Sequence, residues 1–199
     1  MTPGTVQLRL DLNSQAAPKN VMEALVGVEV TRTDEAPSLF SLTFSSERLR
    51  GSRDFTLLGD DFLTPFTRVT LVVTVEALPK VLIDGYIIER KLTPGGGPDG
   101  TRFEVSGEDV SVRMGQFEIS LDYPHRNDFL IVAEVLLRYA VLKILPDVAL
   151  SVGSVIPLDF APMENSTDRD FLLQLAGKHG YRFYIEPGEP EVGWNVAHW

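Results

Sequence analysis

With 199 residues, 44% of them hydrophobic and 23% charged, the chain holds enough apolar material for one large domain or two small ones. Its 28 Asp and Glu against 18 Lys and Arg give a formal net charge of -10, with no run of basic residues. That balance argues against nucleic acid or anionic lipid as partners, because both bind by neutralising phosphate with Lys and Arg. The absence of cysteine excludes disulfides, thiolate metal sites and cysteine nucleophiles.

The front of the chain alternates with a period of two. Residues Met1 to Leu12 mix polar with apolar positions and include Arg9 and Asp11, so they do not form a secretory signal. Val6, Leu8, Leu10 and Leu12 put one face inward, as do Val26, Val28 and Val30, then Phe40, Leu42 and Phe44, then Val69, Leu71, Val73 and Val75. A turn is expected at Leu78-Pro79-Lys80. Val81 to Arg90 is apolar on both faces, which suits a central strand. Pro94 to Gly100 reads as a loop, since proline and glycine defeat a ladder. Phe103 and Val105, then Phe117, Ile119 and Leu121, supply further strands. Many short strands with turns between them indicate an antiparallel sandwich or barrel.

Near residue 121 the period becomes helical. Asn127 is placed to cap a helix with Asp128 in its first turn. This helix is expected over about 128–145, ending at Pro146 and carrying Glu134 and Arg138 as an i,i+4 pair. The same apolar stretch fails as a membrane span, because Glu134, Arg138 and Lys143 interrupt it and it is short of roughly 20 residues. A strand-like stretch follows at Val148 to Val152, then an irregular passage to Met163. A second helix is expected over 167–179, announced by Ser166-Thr167-Asp168, carrying Phe171, Leu172, Leu175 and Ala176, and ending at Gly180. Tyr181, Phe183 and Ile185 then alternate as a strand. The fold class is mainly β with an α+β part: a β domain over 1–120 and a small α/β domain over 121–199.

Catalytic patterns are sparse. Asp60-Asp61, Glu108-Asp109 and Asp168/Asp170 are the paired carboxylates, yet adjacent acids on a strand face opposite ways, and acids in a helix's first turn answer to the dipole. The three histidines, His125, His179 and His198, are scattered without metal-ligand spacing. His179 lies near a helix C-terminus, where a cation is favoured. The GxSxG elbow is missing, and Gly95-Gly96-Gly97 lacks the Lys-Ser/Thr of a phosphate loop. Tyr181, Phe183 and Tyr184 would suit a stacking platform, although core packing is the commoner use of such residues. No catalytic residue, metal ligand or cofactor is expected, and the chain does not read as an enzyme.

The segment Asn165 to Tyr184 resembles a signature of the VgrG / phage late-control-D family: an acidic-capped helix with an aromatic-leucine pair, closed by glycine and followed by an aromatic strand. Ile83-Asp84-Gly85-Tyr86-Ile87 with Val105-Ser106-Gly107-Glu108-Asp109 is similar to a paired strand-glycine element of that family, and Phe40 to Phe44 to its early strand. The resemblance marks Gly85, Gly107, Asp109, Asp168, Phe171, Leu172, Gly180 and Tyr181 as structural positions. It implies a tube-protein-like antiparallel β-barrel followed by the small α/β domain. It further implies a hub of a contractile injection system: a homotrimer adapting a hexameric inner tube protein to a threefold spike. Its partners would be that tube, a spike tip or C-terminal spike domain, and other baseplate subunits. Such a protein would be made in the cytoplasm and assembled into a phage tail, a type VI secretion spike or an extracellular injection particle. Family members continue into a second barrel, so the chain is expected to be incomplete at its C-terminus. The rival readings are a baseplate-associated cell-wall hydrolase and a carbohydrate-binding β module.

Overall fold

The computed structural model describes residues 6–46, 63–95, 101–149, 162–190 and 193–199. The chain divides into two compact units, one of residues 1–32 with 38–109 and one of residues 33–37 with 110–199. The change of character expected near 120 therefore falls about a strand earlier.

The first unit contains β1 (Val6–Leu12), β2 (Gln15–Ala16), a short helix α1 (Lys19–Ala24), β3 (Leu25–Thr31), β4 (Leu39–Ser46), β5 (Arg68–Val75), β6 (Leu78–Thr93) and β7 (Thr101–Asp109). The seven strands make one antiparallel sheet in the order β2-β1-β5-β6-β7-β4-β3. Leu10, Leu12, Phe40, Leu42, Phe44, Val69, Leu71, Ile83, Ile87, Phe103 and Val105 join one apolar cluster with Val21 and Leu63. This is the inward face that period two predicts. The pairing of the described strands ends at β2 and β3, so hydrogen bonds alone do not close the sheet into a ring.

Three details depart from the sequence reading. The hairpin between β5 and β6 turns at Glu76-Ala77, both with positive φ (50° and 67°), and not at Leu78-Pro79-Lys80. Pro79 sits in β6 opposite Thr74, near the start of the strand, where a missing donor costs little. A bulge between Leu71 and Val72 shifts the register, so Val72 is buried whereas Val75 is 44% exposed. The central-strand reading of Val81 to Arg90 holds over its first part: β6 lies between β5 and β7, and residues 83–87 are all buried.

The second unit opens with a 3-10 helix (Val110–Gly115), then β8 (Glu118–Asp122), α2 (Asp128–Leu137), a 3-10 turn (Ala140–Leu142), β9 (Ile144–Asp147), β10 (Met163–Thr167), α3 (Asp168–His179), β11 (Tyr184–Glu186) and β12 (Asn195–His198). β8 pairs with β10, while β12 pairs antiparallel with β11 and parallel with β9. The first helix is thus shorter than 128–145. Lys143 adopts φ 61°, and Ile144–Asp147 enters a sheet beside Asn195–His198. Apolar content alone does not separate a buried helix from a buried strand, and Pro146 is tolerated in the strand opposite Ala197. The strand containing Ile119 and Leu121 belongs to this unit, and Phe117, just before it, is 75% exposed. The strand expected from Tyr181 shrinks to Tyr184–Glu186. Asp60-Asp61, most of the glycine-rich loop and most of the stretch Val148 to Val152 lie outside the described residues.

Candidate functional site

Gly85 and Gly107 lie two positions apart in register on the β6–β7 ladder, where Gly85 opposes Asp109 and Ile87 opposes Gly107. A Cβ at Gly85 would overlap the Glu108 carbonyl oxygen, and one at Gly107 would overlap the Tyr86 carbonyl and the Phe40 ring. Only glycine allows this approach of backbone to backbone and to an aromatic ring. Asp109, 5% exposed, accepts a 2.6 Å hydrogen bond from the Ser38 amide, and its own amide donates to the Ser38 carbonyl at 2.9 Å. These two bonds pin the start of β4 to the end of β7. Nearby, Arg68 donates from Nε and Nη2 to the two carboxylate oxygens of Asp84 at 2.8 and 2.6 Å. Burial lowers the Arg68 pKa, but Asp84 outweighs it and holds the guanidinium above its ordinary value.

On the outer face of the same sheet lies a groove of about 380 Å³, lined among others by Glu29, Leu39, Ser41, Ile88, Glu89 and Ser106. Short serines form its middle and longer side chains its borders. The Ser41 hydroxyl donates to Glu104 at 3.0 Å. Among the described residues no group of three His, Asp or Glu is placed to hold a metal.

The second unit is organised by charge. Asn127 caps α2 by accepting from the Leu130 amide at 3.0 Å, as expected. Thr167 caps α3 by accepting from the Asp170 amide at 3.2 Å, and Gly180 ends it at φ 71°. The two helices bring Arg138 and Asp168 together at 2.5 Å, and Arg138 also meets Glu164 of β10 at 3.3 Å. Tyr139 donates to Asp168 at 2.5 Å and Tyr123 to Glu164 at 2.6 Å, while Arg138 also donates to the Tyr123 hydroxyl. Burial pushes both phenols well above their usual range, and it pushes Glu164 up to about 7 with help from Asp168. Arg138 is lowered by burial but held up more strongly by Asp168, Tyr123 and Glu164.

A raised carboxyl beside an arginine and two tyrosines has the ingredients of acid–base chemistry. Access is what it lacks. Glu164 is 0% exposed, Asp168 1% and Tyr123 2%, so the group ties α2, α3 and β10 together and offers no flanks to a substrate.

The pairing expected between Glu134 and Arg138 is corrected: Glu134 faces Arg126 at 3.6 Å, and Arg138 turns inward. Asp168 is likewise more than a dipole partner, and its mate is Glu164 and not Asp170, which bonds the Thr167 hydroxyl at 2.8 Å. Arg138, Glu164, Tyr123 and Tyr139 were absent from the sequence-based set. The signal for them was an arginine within a nearly apolar stretch, which needs a buried anion.

The remaining predicted positions are packing elements. Phe171 stacks on Tyr123 at 6.0 Å, and fully buried Leu172 accepts at its carbonyl from Trp199 Nε1 at 3.2 Å. Tyr181 sends its amide to Ala176 at 2.8 Å and meets Trp199 edge-on at 5.3 Å. His179 lies against Phe129 and Trp199 and bonds Asp128 at 2.7 Å, with Lys178 on the same carboxylate at 2.6 Å. Burial would raise the Asp128 pKa, but these two partners lower it. Phe183 is 6% exposed, and Tyr184 stacks on His198 at 4.8 Å, so these aromatics do not form an open stacking platform. His198 also approaches Asp147 at 2.9 Å and Glu186 at 3.4 Å, which joins the three strands of that sheet.

No sequence-family model matches the chain, and no curated protein sequence does. Solved structures do match. The 43 kDa tail protein of prophage MuSo2 from Shewanella oneidensis aligns over 97% of this chain and 54% of its own, at 15% identity and a TM-score of 0.58. The E. coli c3393 protein, described as a type VI secretion component similar to the T4 tail proteins gp27 and gp5, aligns over 98% of this chain and 45% of its own, at 14% identity and TM-score 0.56. A chain of the Francisella PdpA–VgrG complex covers 100% of this chain with 29% of its own, at 9% identity and TM-score 0.59. The chain spans about half the length of the tail proteins it matches. Mainly β and antiparallel, it has the fold of phage tail proteins and of VgrG structures.

Proposed function

We propose that this chain is a structural part of a baseplate hub in a contractile injection machine, and that the complete protein forms a trimer between a hexameric inner tube and a threefold spike. The observation that carries this reading is the fold likeness to tail and type VI secretion structures over 97–100% of the chain. Three further features support it. Among the described strands, β2 and β3 end the sheet with one side each unmatched, and Val26 on β3 is 62% exposed. Large apolar side chains such as Leu78 (76%) and Val141 (86%) stand in the open. Surface of this kind is stabilised when neighbours cover it. A closed trimer would do so through a heterologous interface.

Its partners would be the tube, a spike domain and other baseplate subunits, and a further protein partner is in keeping with the PdpA–VgrG assembly. The hub acts by assembly, without chemistry of its own. Among the described residues, the one pair of carboxyl groups with a raised member, Glu164 and Asp168, is shut away from solvent, which disfavours the cell-wall hydrolase reading.

Mass measurement by light scattering on the full-length protein checks the proposal, together with end-on class averages of the assembled particle. A trimer with threefold density is expected. A stable monomer at assembly concentrations, or clearance of cell-wall material in a turbidity assay, would overturn it.

A further inference from the structure

Charge and hydrogen-bond inventory at the Arg138 junction do not balance if every carboxyl there is ionised. Glu164 and Asp168 are almost completely buried, and a single guanidinium serves both. Glu164 Oε2 accepts from Tyr123 and Arg138, yet Glu164 Oε1 is buried without any hydrogen-bond partner. Both carboxyl groups nevertheless close on the same Arg138 nitrogen, Glu164 at 3.3 Å and Asp168 at 2.5 Å. Two acceptor-only groups do not bond, whereas a protonated carboxyl donates to an ionised one. A proton on Glu164 turns the orphaned oxygen into a donor, and it leaves one anion, Asp168, facing one cation, Arg138.

We propose that Glu164 and Asp168 share one proton, and that this proton makes the second unit a pH-dependent lock, tight under mildly acidic conditions and looser above neutrality.

Three polar side chains bond the pair: Tyr123, Arg138 and Tyr139. Asp168 starts α3, Arg138 and Tyr139 follow the last turn of α2, and Tyr123 follows β8. The register of β8 against β10 puts apolar Leu121 opposite Glu164. Arg169 lies against Gly115 of the 3-10 helix.

The direction of the effect follows from proton linkage. Glu164 moves from an ordinary 4.5 to about 7, so between those values the folded chain holds a proton that the unfolded chain lacks. Stability from this group is complete below 4.5, falls as pH rises through the window, and is gone above about 7.

Trp194 and Trp199 are the chain's 2 tryptophans and both belong to the second unit, so urea unfolding of the whole chain followed by tryptophan fluorescence reads that unit directly. The wild-type midpoint is expected to drop as pH is raised from about 5 to about 8, the range over which a carboxyl so displaced from its ordinary range exchanges its proton. Glu164→Gln keeps a neutral donor toward Asp168, so its midpoint should lose about one proton's worth of that pH dependence. Every other side chain is common to the two proteins, so the difference between them isolates Glu164. The carboxyl carbon of Glu164, followed by NMR in the wild-type chain, should titrate near neutrality. This second measurement decides even where the variant does not fold. Parallel slopes for the two proteins, or a carboxyl resonance titrating in the ordinary glutamate range, would overturn the proposal.

Discussion

In the first unit, inward side chains from β1, β4, β5, β6 and β7 meet in one apolar cluster, and the Arg68–Asp84 pair adds to it. In the second, the β8–β10 pair and two helices converge on Arg138, Glu164 and Asp168. The two arrangements tolerate change differently. An apolar cluster accepts swaps of similar volume at modest cost, because burial is non-directional. An ionic junction has no such latitude: removing one member strands the others without solvent.

Replacing the junction's cation is the sharpest way to break this contrast. Arg138→Met strands the Asp168 carboxylate and should cost about 3–5 kcal/mol. It should be read as an early tryptophan transition in urea, and a midpoint near wild type would mean that charge does not organise this unit. Phe171→Ala, which removes a buried ring stacked on Tyr123, should cost about 3–5 kcal/mol at the upper limit set by how far the site collapses. An unchanged melting curve would show that α3 is not packed through that ring. Gly107→Ala sharpens the other side of the comparison. Its new methyl group meets the Tyr86 carbonyl and the Phe40 ring, and about 1–3 kcal/mol of overpacking is expected. Far-UV circular dichroism should register the loss in the sheet with little movement of the tryptophan transition.

The same contrast explains what sequence reasoning could reach. Strands β4, β7 and the second half of β1 were legible because a half-buried strand writes its burial as alternation, and Leu10, Phe40, Leu42 and Phe103 obey it; Val6 and Val26, expected on the inward face, are instead 64% and 62% exposed near the strand starts. Caps were legible too, since Asn127, Thr167 and Gly180 act through their own neighbours in sequence. Register was not. The bulges at Leu71/Val72 and Ile87/Glu89 leave no mark on composition, and they decide which valines face inward. The junction was less legible still. Arg138 is 26 residues from Glu164 and 30 from Asp168, and its obvious partner by spacing, Glu134, turned out to face Arg126. Local rules assign a charge to the nearest opposite charge, whereas burial assigns it to whichever anion is equally deprived of water.

The strand order of the large sheet also sets a timetable for synthesis. β1 pairs with β5, joining Val6 to Val75, and β4 pairs with β7, joining Leu39 to Glu108. Strands β1 and β4 therefore wait for partners dozens of residues behind them, while β5, β6 and β7 form a meander that can assemble as it emerges. A nascent chain halted before β7 would carry β4 with one side unmatched, a natural place for a chaperone to hold it.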